Sequence, residues 1–318
     1  MSQLAPSRQA LAIILGGTGW LGKHVCATFH RHGYHVLVVA RNPRAAVAAH
    51  AFRSLDLASA TAVEVAELLR VNRPDVVVNA TDAMNETDGW QRTEAELVRA
   101  NIRLVETLIT ALGRTPGRTR LVHIGTIHEF GPVPQGTLID ETTTPVAGTS
   151  YAHSRLAGTE TVLRASGAGE MNAVALRLVN LCGPHPSPES FPGKILQRLR
   201  EADTSNEQVN VPVADAERDF VDVRDAAEAV RLASTAPTVG RAINIGRGVP
   251  VQPWELVQLL VEVSGLPADT VRRHEGTMPS LGGAWTRADI RLAQRLLGWH
   301  PQIGMRSSLR DMWESSDD

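Results

Sequence analysis

The chain has 318 residues, 43% of them hydrophobic, enough for one large domain or two small ones around a substantial core. Charged residues make up 21% and the formal net charge is -2, so no basic excess points to nucleic acid or to an anionic membrane. The two cysteines, Cys26 and Cys182, are far apart, which argues against a disulfide framework and a cysteine-rich metal site, and no apolar run approaches the roughly 20 residues that span a bilayer.

Met1–Gln9 is short and polar, without the apolar centre of a secretion signal, so the expected location is the cytoplasm. Leu11–Leu15 is the first strand-like run, followed by a helical pattern over 20–31. His35–Ala40 is the second strand, and a helix is expected over 60–72. Asp75–Ala80 and Arg120–Gly125 are further strands, with a helix over 93–112 between them. The cluster Arg114, Arg118 and Arg120 is expected to be solvated. A helix over 150–166 leads to the strand Asn172–Leu178. Leu181–Pro192, rich in Pro, Gly and Ser, reads as loop. Helices over 225–234 and 253–264 flank a late strand at Ala242–Ile245.

The strands are near-continuous Val- and Ile-rich runs, the pattern of strands buried on both faces of a parallel sheet. Their alternation with helices implies an α/β fold: a doubly wound, Rossmann-type parallel sheet with a smaller, discontinuous α/β substrate lobe. The expected division is 1–180 with 225–248 for the dinucleotide-binding domain and 181–224 with 249–318 for the substrate lobe. A cleft between the two is where a ligand sits.

The first strand runs into Gly16-Gly17-Thr18-Gly19-Trp20-Leu21-Gly22, a glycine at every third position from 16 to 22, and then into a helix. One glycine permits the tight turn, one lets backbone approach a pyrophosphate, and one lets helix and strand pack closely. The helix start offers free N–H groups and a positive dipole end to the phosphates. At the end of the second strand, Ala40-Arg41-Asn42 lacks the acidic residue that holds a ribose 2′-hydroxyl. Arg41 suits a 2′-phosphate, which favours NADP(H), with NAD as the alternative.

Tyr151 and Arg155, four apart, share one helix face. A cation beside a tyrosine stabilises the phenolate, so the pair suits general acid–base work. Thr126 follows the strand Arg120–Gly125, at the sheet edge where ligands bind in such folds, and its hydroxyl suits a substrate oxygen.

These residues resemble the extended short-chain dehydrogenase/reductase family, also called NAD-dependent epimerase/dehydratases, over nearly the whole chain. The glycine loop, Asp56-Leu57, Asn79-Ala80-Thr81, Asn101-Ile102 and the lead-in from Asp140 to Tyr151 carry the resemblance. So do Arg177 to Pro184, Arg218 to Val223, Asn244-Ile245-Gly246, and Leu297 to Pro301. The resemblance implies a Thr126, Tyr151, Arg155 catalytic set, with arginine where the family has lysine. It implies cofactor contacts at Gly16, Thr18, Gly19, Trp20, Leu21 and Gly22, and at Arg41, Asp56, Leu57, Ala80, Thr81 and Asn101, besides Tyr151 and Arg155. Asn180 and Arg218 then fall where the family contacts sugar or pyrophosphate. Arg273 is read as a second phosphate contact, and Asp219 and Asp222 as structural.

Dehydrating members place Asp and Glu after the hydroxyl residue, whereas this chain has Ile127 and His128, so 4,6-dehydration is not expected. His128 reads as a substrate-pocket residue, whether wall or proton donor, and His153 as surface. The preferred reading is an NADPH-dependent ketoreductase of a nucleotide-linked 4-keto-6-deoxy sugar. Three alternatives stay open: a nucleotide-sugar epimerase with retained NAD, a reductase of a non-sugar carbonyl, and a non-catalytic cofactor-binding homologue. A homodimer through the helices near 93–112 and 150–166 is implied by the resemblance alone.

Overall fold

The computed structural model describes residues 8–81, 93–115, 119–205, 207–274 and 283–315; residues 1–7 and Arg118 lie outside these ranges. The strands are β1 (Leu11–Leu15), β2 (His35–Ala40), β3 (Ala51–Ser54), β4 (Val76–Asn79), β5 (Arg120–Thr126) and β6 (Asn172–Leu178). They continue with β7 (Asn180–Cys182), β8 (Val209–Val211), β9 (Arg218–Asp222), β10 (Ala242–Ile245), β11 (Pro250–Val251) and β12 (Val271–Arg273). The helices are α1 (Trp20–Arg31), α2 (Ala62–Asn72), α3 (Glu94–Val98), α4 (Leu104–Gly113) and α5 (Ser150–Gly167). After them come α6 (Phe191–Ser205), α7 (Val223–Thr235), α8 (Pro253–Ser264), α9 (Arg291–Leu297) and α10 (Met305–Glu314).

Seven strands form one sheet in the order β10-β6-β5-β4-β1-β2-β3, all parallel. The chain winds outward from β1 to β3, then returns to place β4 on the other side of β1. That reversal opens a crevice at the carboxyl ends of β1 and β4, where Leu15 pairs with Asn79. Both faces are buried, as the apolar runs require. Val25 and Phe29 of α1, Ala226 and Val230 of α7, and Leu297 of α9 pack on one face. Leu69 of α2, Leu108 of α4 and Val162 of α5 pack on the other. A third apolar cluster joins Leu199 of α6, Leu260 of α8 and Leu309 of α10 with Phe220 of β9.

Local chemistry sets the helix starts around the site. Thr149 Oγ1 accepts a hydrogen bond from Ala152 N at 3.2 Å and caps α5. Asp222 caps α7 through Arg224 N at 2.8 Å. Between α3 and α4 the helix widens into a π turn over Arg99–Arg103, which carries Asn101.

Two expectations change. Leu181–Pro192 is not all loop: β7 extends to Cys182 and α6 begins at Phe191. Arg120 is not solvated. It is 4% exposed, and its guanidinium donates to the carbonyls of Ala233 at 3.0 Å and Thr238 at 2.6 Å. It ties the start of β5 to the end of α7, and burial lowers its pKa to about 10.

Candidate active site

A cleft of about 1820 Å³ runs from the glycine loop to α6 across the carboxyl ends of β1, β4, β5 and β6. Gly16 has φ +75°, and a side chain there would place Cβ 2.9 Å from Ala80 O. At Gly22 a Cβ would lie 2.2 Å from Gly16 O, so helix and loop touch backbone to backbone. Gly19 caps α1 with no side chain over the helix end, leaving the first-turn N–H groups open to an anion. These are the features a dinucleotide pyrophosphate requires, and the residues fit it.

Thr18, Trp20 and Leu21 line the same cleft, as do Arg41, Asp56, Leu57, Ala80 and Thr81. Arg44, which sequence reasoning passed over, lines it beside the exposed Arg41. Ser54 Oγ donates to Arg41 O at 2.8 Å and holds the backbone between β2 and β3. Asn79 builds the turn after β4. Its Oδ1 accepts from Thr81 Oγ1 at 2.6 Å, and its Nδ2 bonds His123 Nδ1 at 3.2 Å. Burial, helped by the charge of Arg155, holds His123 neutral, with its pKa lowered to about 3. Trp20 Nε1 donates to Pro184 O at 3.0 Å, and His24 Nε2 approaches the same carbonyl at 3.2 Å. One carbonyl thereby ties α1 to the loop after β7.

Thr126, Tyr151 and Arg155 all line the cleft, from the end of β5 and the first turns of α5. Thr126 Oγ1 accepts from His128 N at 3.3 Å, leaving its hydroxyl proton to donate elsewhere. Arg155 is 3% exposed. Its guanidinium bonds Asn101 Oδ1 at 3.0 Å and Thr81 O at 3.4 Å, and it also donates to Ile124 O. One side chain therefore joins α5 to the π turn, to β5 and to the turn after β4. Asn101 is 2% exposed and is not part of the cleft wall: its Nδ2 donates to Ser154 Oγ at 2.9 Å and its Oδ1 holds Arg155. Of the expected cofactor residues, Asn101 is the one whose side chain is held by Ser154 and Arg155 rather than lining the cleft.

His128 and Asn180 line the cleft beyond Thr126. Burial, reinforced by the nearby Arg218 charge, lowers His128 to about 4 despite a hydrogen bond to Asn180 that acts to raise it. Arg218 is not in the cleft wall but 4% exposed behind it, bonded to Thr286 Oγ1 at 3.4 Å and to Gly283 O. Arg273 is further away. It sits half-exposed on β12, 3.8 Å from Asp215 and outside the residues that line the cleft. Asp219 accepts from Arg247 N and Gly248 N, both at 2.9 Å, and from Ala288 N at 3.1 Å, pinning the segment after β10. His153 is exposed. Ile127 is 2% exposed within the apolar core, so no carboxylate stands directly after Thr126.

The family model for the NAD dependent epimerase/dehydratase family matches residues 12–246, a span that holds both the glycine loop between β1 and α1 and the residues Thr126, Tyr151 and Arg155. The chain belongs to that family. It is an NAD(P)-dependent oxidoreductase of the extended short-chain dehydrogenase/reductase type. A dTDP-6-deoxy-L-talose 4-dehydrogenase (NAD(P)(+)) of Kitasatospora kifunensis is 35% identical over 313 residues, covering 97% of this chain and 95% of the relative. A UDP-glucose 4-epimerase of Rhizobium leguminosarum bv. trifolii is 23% identical, covering 95% of this chain and 96% of the relative. In fold, the chain matches a Thermotoga maritima UDP-glucose 4-epimerase solved with UDP-glucose at a TM-score of 0.84 and 19% identity, over 96% of this chain and 97% of that one. Among the described residues no helix is long and apolar enough to cross a membrane, and no group of three His, Cys, Asp or Glu is placed to hold a metal.

Proposed function

We propose that this family member is an NADPH-dependent ketoreductase acting on a nucleotide-linked 4-keto-6-deoxy sugar. One observation carries the reading: Thr126, Tyr151 and Arg155 line one cleft with the glycine loop, while the residue after Thr126 is a buried isoleucine. A hydroxyl and a phenol suit a carbonyl oxygen; removal of water needs an acid that Ile127 does not supply. The likeness to the Kitasatospora 4-dehydrogenase supports a deoxysugar position and a cofactor of either form.

When bound, the dinucleotide supplies the hydride that reaches the ketone carbon. The chain handles the oxygen. Tyr151 Oη gives its proton to the developing alkoxide, which becomes the hydroxyl, and Thr126 Oγ1 donates a hydrogen bond to the same oxygen. Arg155 supplies the positive charge that favours the phenolate left behind. Asn180 and His128, on the cleft wall beyond Thr126, face the sugar in this reading. Arg41 and Arg44 at the cleft rim favour the 2′-phosphate of NADPH, with no acidic residue at the end of β2. The third apolar cluster, on α6, α8 and α10, supports a substrate lobe within 181–224 and 249–318.

The test is turnover of NADPH and NADH with a panel of dTDP-linked 4-keto-6-deoxy sugars. NADPH is oxidised and preferred, and Arg41→Ala raises KM for NADPH by about tenfold or more, leaving KM for NADH nearly unchanged. Equal use of both cofactors by wild type and Arg41→Ala contradicts the assigned preference. Co-purified NAD with sugar isomerisation and no net oxidation contradicts the reductase.

A further inference from the structure

Glu129 is fully buried and takes no part in the chemistry described so far. Its Oε1 accepts from the backbone N–H of Thr126 at 3.1 Å and from Thr159 Oγ1 at 2.8 Å. Its Oε2 accepts from Arg177 Nε at 2.7 Å, and the Arg177 guanidinium lies 4.7 Å from the centre of the Phe130 ring. One carboxylate therefore touches the three elements that frame the reaction: the end of β5 with Thr126, the helix α5 with Tyr151, and β6. Thr159 follows Tyr151 by eight residues, about two helical turns, on the same helix. Gly125 makes room for this arrangement: a Cβ there would lie 2.6 Å from Glu129 Oε1 and 2.9 Å from Thr159 Oγ1.

A buried ion pair is a weak device for stability, since the charges lose their hydration. Geometry gives this one a different use. We propose that Glu129 is a positioning residue whose carboxylate sets the spacing between the turn that carries Thr126 and the helix that carries Tyr151. The proposal rests on the reading of Thr126 and Tyr151 as the pair that meets the substrate oxygen. A carboxylate suits the task because it accepts several hydrogen bonds in fixed directions. Arg177 holds it from below, and Thr126 N and Thr159 Oγ1 are drawn to one oxygen. Slack in either bond lets the hydroxyl and the phenol drift relative to each other, and displacements of that scale lower the rate at which a bound substrate reacts.

Thr159→Val tests the tie with little change of side-chain volume, and it leaves Arg177 paired with Glu129. In the full-length enzyme, with NADPH and the keto sugar, kcat falls by about tenfold or more while KM for both substrates stays within about twofold. Thr159→Ser, which restores the hydroxyl, recovers most of the loss. Hydrogen exchange followed by mass spectrometry shows faster exchange in the segments 120–131 and 150–167 of the valine variant, and wild-type rates in the serine variant. Wild-type kcat in Thr159→Val overturns the proposal, leaving Glu129 a brace of the fold only. So does an equal loss in Thr159→Ser, and so does unchanged exchange in both segments. Tyr151→Phe runs alongside: if it keeps wild-type turnover, the functional reading falls, whereas the exchange measurement still decides whether the carboxylate ties α5 to β5.

Discussion

Arg155 stands where the family has lysine, and its bonds explain what the larger side chain does. A guanidinium reaches Thr81 O and Asn101 Oδ1 with Nη1 and Ile124 O with Nη2, two nitrogens held in a fixed fork; a single ammonium meets fewer of these buried acceptors. Arg155→Lys keeps the charge near Tyr151 but leaves acceptors without donors, at a cost of about 1–3 kcal/mol. The expected result is a clearly lower Tm with measurable turnover. Arg155→Met removes the charge as well, and its kcat falls by about a hundredfold or more. Thermal melts and steady-state kinetics on the two variants check this; a lysine variant as stable as wild type contradicts the three-way bond. The arginine itself was plain in the sequence, and so was its place four residues after Tyr151. Its partners were not, because they arrive from residues 31 to 74 positions away.

Helix α5 lies close against the π turn because residue 158 is glycine. A Cβ at Gly158 would sit 2.4 Å from Asn101 O, which is backbone and cannot swing aside. Replacing an interior helix glycine by alanine ordinarily stabilises by up to about 1 kcal/mol. Here the clash wins: Gly158→Ala lowers Tm and shifts Asn101 away from Arg155, so kcat falls with it. A Tm above wild type contradicts the close approach. At this scale the sequence was legible wherever a pattern is long. The limits of α1, β6, β10 and α8 agree with the apolar periodicity to the residue. Six strands escaped: β7, β8, β11 and β12 are only two or three residues long, and β3 (AFRS) and β9 (RDFVD) are broken by charged residues, unlike the apolar runs of β1 and β10. The π turn escaped too, since nothing in Arg99–Arg103 distinguishes it from an ordinary helical turn. Glu129 was visible only as a letter in a motif; its contacts to Thr126, Thr159 and Arg177 needed the fold.

The whole molecule carries a pH dependence built from buried neutral histidines. Burial lowers His24 to about 4, His123 to about 3 and His128 to about 4, each below the usual 6.5. The unfolded chain therefore binds more protons than the folded one over the range between those values and 6.5. Their contribution is complete above about pH 6.5 and is lost as the pH falls toward 4, up to about 2 kcal/mol per histidine by pH 5. Asp219 acts in the opposite sense. Burial pushes it up to about 6 despite three backbone donors, so its contribution favours the folded state on the acid side and is lost as pH rises through 6. Burial also raises Glu141 and Asp225, though less than Asp219, and the three histidines outweigh these carboxyls, so urea unfolding at pH 7 and pH 5 shows the lower stability at pH 5. His128→Gln flattens that difference; equal stability at both pH values contradicts the neutral histidines. The central claim, reduction of a sugar ketone with Tyr151 as proton donor, is tested most directly by following the hydride itself. NADPH deuterated at the transferring position is mixed with a dTDP-linked 4-keto-6-deoxy sugar, and the product is examined by mass spectrometry and NMR. The account predicts a hydroxysugar carrying one deuterium on the former ketone carbon with wild type, and none formed with Tyr151→Phe. An unlabelled isomer of the substrate, or a labelled product formed equally well by Tyr151→Phe, contradicts it.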